Sequence, residues 1–109
     1  METPQPLTEE AAEMVAARFR ALGEVPRLKI LTLLEEGPAS VSQVAGRLGL
    51  SQPNASRHLK ILQEAGLVSR RQEGNTVYYT AEPVVSELCQ LMCRDLRGRL
   101  QARARALGA

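Results

Sequence analysis

Apolar side chains recur every three or four positions along most of this chain, which is the spacing of amphipathic helices. The pattern predicts four helices before Leu67, and each begins near a residue that favours a helix start: Thr8, Pro26, Ser40 and Ser51. In the second helix, the apolar spacing predicts an inner face of Leu28, Leu31 and Leu34. Most of the first two thirds of the chain is therefore expected to be helical.

The period changes after the fourth predicted helix. The runs "LVSRRQ" and "TVYYT" are β-prone and flank "EGN", a loop rich in turn formers, which predicts a hairpin. Residues 84–107 return to helical spacing and predict a long last helix. The chain is therefore expected to be mainly α with a small β-hairpin, in the order α-α-α-α-β-β-α. Residues 1–7 are expected to be a disordered lead-in to a single domain over residues 8–107.

The third and fourth predicted helices are joined by a short turn that contains Gly49. Two short helices joined through such a turn are typical of a helix-turn-helix, and a hairpin directly after them makes the fold a winged helix-turn-helix. In this fold the second helix of the pair can enter the major groove of DNA. The hairpin then lies along the DNA backbone or in the minor groove.

Composition narrows the class of protein. The chain has 109 residues, of which 44% are hydrophobic and 24% charged, as in an ordinary globular domain. No apolar run approaches the roughly 18 residues of a membrane span, and the polar, acidic N-terminus is unlike a signal peptide. A cytoplasmic protein without a membrane partner is expected. In that reducing compartment its two cysteines are expected to be free thiols.

The net charge of +2 is small, but the basic residues are clustered. Residues 57–71 carry four basic side chains against one acidic side chain, and residues 94–105 carry five arginines against one aspartate. Local basic surfaces near a helix and a hairpin favour a polyanionic partner. A merely solvated charged surface explains the charge alone equally well.

Polar residues at the start of the fourth helix match a surface that reads DNA. Gln52, Asn54, Ser56 and Arg57 can form hydrogen bonds at base edges, and Arg57 can grip guanine through two hydrogen bonds. His58, the only histidine, is predicted to meet phosphate together with three basic residues. The complete predicted DNA-binding set is Ser51, Gln52, Asn54, Ser56, Arg57, His58, Lys60, Arg70, Arg71 and Asn75.

Residues 19–79, from "FRALGEVPRL" to "GNTVYY", resemble the ArsR/SmtB family of bacterial transcriptional repressors. The most specific segment is "LGLSQPNASRHLKILQEAGLVSRRQEGNTVYY", where spacing, caps and hairpin coincide. The resemblance implies a homodimeric winged helix protein that binds a palindromic operator and leaves it when an inducer arrives. The chain departs from the family at "LGEVPRL", where the family more often reads "LGDPTRL", so that the proline has moved by one position.

The long last helix carries an apolar stripe that most simply packs on its twin across a two-fold axis. The first helix has apolar residues at similar spacing and is expected to join this contact. The predicted dimer interface comprises Val15, Phe19, Val85, Leu88, Met92 and Leu96.

Cys89 and Cys93 are the candidate sensory residues. A separation of four places both sulfurs on one helical face, where they can share a soft ion such as As(III), and Arg94 and Arg97 nearby are expected to favour thiolates. As(III) prefers three sulfurs, so the third would come from the partner subunit or an external thiol. Oxidation and simple apolar packing are the two alternatives. No cofactor is required by the fold.

Two other functional classes compete with a DNA-binding repressor. A winged helix can also be a protein-interaction module that never touches DNA, and a repressor without a bound inducer is a further alternative. An enzyme is not expected, because the sequence shows no Ser/His/Asp set, no phosphate-binding glycine loop and no prominent carboxylate pair.

Overall fold

The computed structural model describes residues 7–108, so all but Leu7 of the predicted disordered lead-in lies outside the described residues. The described chain follows the predicted order of elements. The helices and strands are α1 (Glu9–Leu22), α2 (Val25–Leu34), α3 (Val41–Leu48), α4 (Gln52–Glu64), β1 (Val68–Glu73), β2 (Thr76–Ala81) and α5 (Pro83–Ala106).

Capping side chains fix where three of the helices begin, as predicted. The hydroxyl of Thr8 accepts a backbone hydrogen bond at the start of α1, and that of Ser51 does the same for α4. Ser40 and Gln43 form a capping box, in which the Gln43 side chain also accepts from the Ser40 backbone N–H at 2.9 Å. Gly49 ends α3 with a positive φ of 67°, which allows the sharp turn into α4.

The core lies where α2, α3 and α4 meet the base of the hairpin and the start of α5. Its largest fully buried side chains are Ile30, Leu31, Val44, Leu59, Leu62 and Val85. The hairpin closes one side of this core. A pair of backbone hydrogen bonds between Ala39 and Tyr79 joins its second strand to the loop before α3.

The predicted inner face of α2 is partly wrong. Leu31 and Leu34 are buried as expected, but Leu28 is 41% exposed and Arg27 is buried in its place. The guanidinium of Arg27 can be buried because it donates to the backbone carbonyls of Ala21 and Arg20 at the end of α1. The helix is therefore turned to place Arg27 and Ile30 inward.

Val85 also departs from its predicted place. The apolar stripe of the sequence puts it in the dimer interface, but it is 2% exposed and belongs to the core of its own chain. The start of α5 follows β2 directly, which brings this residue against the core. No described helix is both long and apolar enough to cross a membrane.

Candidate nucleic-acid interface

Helix α4 has one buried side and one exposed side. Ala55, Leu59 and Leu62 face the core, together with His58. At 100° per residue, the opposite side carries Pro53, Arg57, Lys60 and Glu64, with Ser56 at its edge, and all five are exposed. The helix is thus held by its apolar side and presents hydrogen-bond donors on the other.

The first turn of α4 is tied to α3. The side-chain amide of Gln52 donates to the hydroxyl of Ser42 at 2.7 Å, and both residues are exposed. The hydroxyl of Ser51 already accepts from the backbone N–H of Asn54, while the Asn54 side chain lies exposed at the edge of the polar side. Gln52 therefore lies near the polar side of α4 and also connects α4 to α3 through this hydrogen bond.

His58 does not lie where a phosphate could reach it. Its side chain is buried, with the residue 5% exposed, and its Nδ1 lies 3.3 Å from Nη1 of Arg27. Burial lowers the pKa of this imidazole, the charges of Arg57 and Arg27 lower it further, and Glu24 opposes them. The predicted phosphate contact is wrong in this conformation, because the ring belongs to the inner side of the helix.

The two hairpin arginines lie on opposite faces of β1, since consecutive strand residues alternate. Arg70 is paired with Tyr79 on the face that carries buried residues, whereas Arg71 is paired with Tyr78 on the other face. Arg71 also forms an exposed ion pair with Glu73 at 2.8 Å. The two arginines therefore do not present one common row of charge. Asn75 is exposed at the hairpin tip.

The two thiols line one groove between α2 and α5. Cys89 is half-buried and Cys93 is exposed, and the groove also contains Thr32, Glu35, Gln90, Arg94 and Arg97. Burial raises the pKa of the Cys89 thiol, and Glu35 and Cys93 raise it further. The expected lowering by arginines is therefore reversed at Cys89. Among the described residues, no three His, Cys, Asp or Glu side chains are grouped to hold a metal ion.

The remaining residues predicted for the dimer interface form an apolar surface. Val15 and Phe19 of α1 line a cleft with the half-buried Leu88 of α5. Further along α5, Met92 and Leu96 are more than half exposed. An apolar surface that runs along two helices is a candidate for contact with another protein surface.

Two arginine contacts between helices, one buried and one exposed, were not anticipated from the sequence. Arg27 links the end of α1 to His58, and Arg18 of α1 donates from Nε to the carbonyl of Ala65 at the end of α4 at 3.2 Å. A signal for Arg27 exists in the sequence, because it lies three and four residues before the buried Ile30 and Leu31.

The fold agrees with comparisons to known proteins. The sequence model described as "Bacterial regulatory protein, arsR family" matches residues 25–70. An uncharacterized HTH-type transcriptional regulator of Methanocaldococcus jannaschii is 40% identical over 85 residues, covering 76% of this chain and 96% of that protein. The chain belongs to the ArsR family. This ArsR-family protein is therefore a transcriptional regulator and not an enzyme.

Two further relatives of this ArsR-family protein are informative. The homodimeric winged helix-turn-helix DNA-binding domain of a possible ArsR-family regulator from Mycobacterium bovis has a TM-score of 0.76 and 32% identity, covering 87% of this chain and 91% of that chain. The arsenic resistance transcriptional regulator of Pseudomonas putida is 36% identical over 79 residues, covering 72% of this chain and 62% of that protein.

Proposed function

We propose that this protein is a homodimeric repressor that binds a palindromic DNA operator. The observation that carries the proposal is the side of α4 that bears Ser56, Arg57 and Lys60, all exposed and turned away from the buried side of the same helix. An α-helix fits the major groove, and polar side chains on such a face reach base edges and phosphates.

The residues take different parts in this proposal. Arg57 contacts a guanine, while Lys60 and Arg71 neutralise phosphates. Ser51, Gln52 and Asn54 flank the groove-facing side at the start of α4, and Asn75 is carried by the hairpin tip. Arg70 lies on the other face of the hairpin and contributes long-range attraction. His58 supports the helix from beneath. A protein with this role works in the cytoplasm, where bacterial DNA lies.

The second part of the proposal is the dimer. Phe19, Met92 and Leu96 are exposed on α1 and α5 and are covered when two copies meet across a two-fold axis. The related domain from Mycobacterium bovis is homodimeric. Two copies of α4 then read two half-sites about one turn of DNA apart, on the order of 34 Å.

A binding-site selection from random duplex DNA tests the proposal. The selected sequence is expected to be palindromic, and its affinity for the protein is expected to fall steeply with salt as counterions are released. Replacing Arg57, Lys60 and Arg71 with Ala together should weaken binding and reduce the salt slope by about one for each phosphate that is no longer neutralised.

Lys29→Ala is the matched control, because Lys29 is an exposed basic residue on α2, outside the proposed DNA surface. It should leave the salt slope nearly unchanged. If the triple variant binds DNA as well as the unaltered protein does, the winged helix is a protein-interaction module instead.

We further propose that a thiol-binding species releases the operator through Cys89 and Cys93. The support is that both thiols line one groove, and that a relative is an arsenic resistance regulator. One chain lacks a complete site, because As(III) prefers three sulfurs and this groove supplies two. The third would come from the partner subunit or an external thiol. Oxidation of the same pair is the second candidate.

Titrating the protein–operator complex with As(III), Zn(II), Cd(II), Hg(II), peroxide and persulfide tests this part. The double variant Cys89→Ser/Cys93→Ser should bind the operator normally and no longer respond to the active compound. A double variant that responds like the unaltered protein would show that the cysteines serve packing alone.

A further inference from the structure

Three side chains from two helices form a continuous contact beneath the DNA-facing side of α4. Nη1 of the buried Arg27 lies 3.3 Å from Nδ1 of His58, and Nη2 of Arg57 lies 3.5 Å from Nε2 of the same ring. One guanidinium is therefore inside the protein and the other is on the surface that faces DNA, with a single imidazole between them.

A neutral imidazole can accept only one hydrogen bond in its plane. One ring nitrogen carries the proton and donates, and the other carries the lone pair and accepts. A guanidinium has only donors. Arg27 and Arg57 therefore compete for the one acceptor nitrogen of His58, and the ring proton must lie on the side of the arginine that loses.

Arg27 is the better placed of the two. Its Nε donates to the carbonyl of Ala21 and its Nη2 lies 3.4 Å from the carbonyl of Arg20, so the end of α1 holds the guanidinium in position. Glu24 lies 3.9 Å from the same Nη2. Arg57 is exposed, and its contact with the ring is longer. The geometry therefore favours Nδ1 as the nitrogen that accepts from Arg27, which would leave the ring proton on Nε2.

We propose that Arg27 is a positioning residue for DNA reading: by occupying Nδ1 of His58 it places the ring proton on Nε2, so that Arg57 cannot bond to the ring and extends toward DNA. The inference rests on the proposed function, in which Arg57 contacts a base. It adds that this contact depends on a buried residue of another helix.

Loss of Arg27 has a defined consequence in this arrangement. Nδ1 is then free to take the ring proton, and Nε2 becomes the acceptor. The guanidinium of Arg57 gains a hydrogen bond to its own helix and must break that bond before it can reach a base. Operator affinity falls, whereas binding to random DNA, which depends on charge at the phosphates, changes little.

The first experiment determines which ring nitrogen carries the proton. The chain has one histidine, so the ¹⁵N resonances of the imidazole in the intact protein are free of overlap from other histidine residues. Near neutral pH, the unaltered protein is expected to show a protonated Nε2 and an unprotonated Nδ1. Arg27→Met should move the proton toward Nδ1, and the control Lys29→Met on the same helix should not. A protonated Nδ1 in the unaltered protein would overturn the proposal.

The second experiment is a double-mutant cycle on the selected operator. Arg27→Met is expected to weaken operator binding roughly fivefold, and random-DNA binding less than about twofold. In the Arg57→Ala background, the same change should have an effect below about twofold, because the residue through which it acts is gone. Independent effects of the two changes would contradict the proposal.

A measurement on the folded, unaltered protein remains if Arg27→Met does not fold. The charged groups that face His58 are Arg27 and Glu24 from α2 and Arg57 from α4. Protonation of the ring on acidification removes its acceptor and ends the contact with Arg27. Because the protonated ring still carries a proton on Nε2, Arg57 gains no acceptor there, and operator affinity should not fall in step with the ¹⁵N titration of His58. A fall that follows this titration and is absent from Arg57→Ala would refute the role of Arg27.

The experiments distinguish a wrong DNA contact of Arg57 from a wrong positioning role of Arg27. If Arg57→Ala binds the operator normally, the DNA contact is wrong whatever the ring proton does. If Arg57→Ala binds weakly but the ring proton lies on Nδ1, only the positioning role of Arg27 is wrong.

Discussion

Helices α4 and α5 differ in which side chains they bury and which they expose. The shorter α4 buries Ala55, His58, Leu59 and Leu62 and exposes polar and basic residues. The longer α5 buries Val85 alone within the described chain and exposes a series of large apolar side chains: Val84, Leu91, Met92, Leu96 and Leu100. One helix completes its apolar contacts inside the chain, and the other does not.

The difference indicates two partners of different chemistry. A polar, basic surface on a helix with a satisfied core side suits a hydrated polyanion such as DNA. An unsatisfied apolar surface suits another protein surface, because covering it releases water from apolar area. Substitutions in one helix that leave the other unchanged can test whether α4 serves DNA binding and α5 serves protein contact.

The largest effect on the fold is expected from Leu62→Ala in α4. Removing this fully buried side chain leaves a cavity, and the free energy of unfolding should fall by about 2–5 kcal/mol. Leu107→Ala at the exposed end of α5 is the control and should cost under about 0.5 kcal/mol. Urea unfolding of both variants measures the difference. Equal losses would mean that α5 is as deeply packed as α4.

The next effect is expected from Leu96→Glu in α5. Two carboxylates would enter the proposed dimer contact without partners, so the dimer dissociation constant should rise at least about a hundredfold. Gln101→Glu adds the same charge on the opposite side of α5 and serves as the control. Sedimentation equilibrium measures both variants. A Leu96→Glu protein that stays dimeric would place the interface elsewhere.

A smaller effect, about 1–3 kcal/mol of operator affinity, is expected from Arg57→Ala in α4. Removing a base contact should also relax the preference for the selected sequence. Fluorescence anisotropy with operator and random duplexes separates the two effects. An equal weakening on both duplexes would show that Arg57 contacts phosphate only.

The smallest effect concerns the two thiols of α5. Cys93 is exposed, whereas Cys89 is half-buried and its pKa is raised by burial and by Glu35. Because the thiolate reacts, Cys93 should be alkylated several times faster than Cys89 near neutral pH. The Cys89 rate should continue to rise at higher pH. Mass spectrometry of partly alkylated protein measures both rates. Faster reaction at Cys89 would contradict the assignment of the raised pKa.

The order of elements and the caps could be predicted because they depend on local chemistry. Ser40 with Gln43 and Ser51 before α4 form hydrogen bonds within a few residues of themselves. Gly49 adopts the positive φ that a short turn requires. Such features are fixed by neighbours in the sequence, so a single sequence is enough to find them.

The places where prediction failed depend on distant contacts. His58 lies within a polar stretch, but the partner that makes its burial possible is Arg27, 31 residues away. Val85 fits the apolar stripe of α5, but it is buried in the core of its own chain and is therefore not available to a second copy. Helical spacing shows which residues share a side, but it does not show what covers that side.

The hairpin is held at one end only. Ala39 and Tyr79 exchange two backbone hydrogen bonds near its base, at 3.1 and 2.8 Å, whereas Gly74 and Asn75 at the tip are exposed. Because the hairpin is attached to the core only at its base, bending of the two strands is expected to displace the tip more than the base.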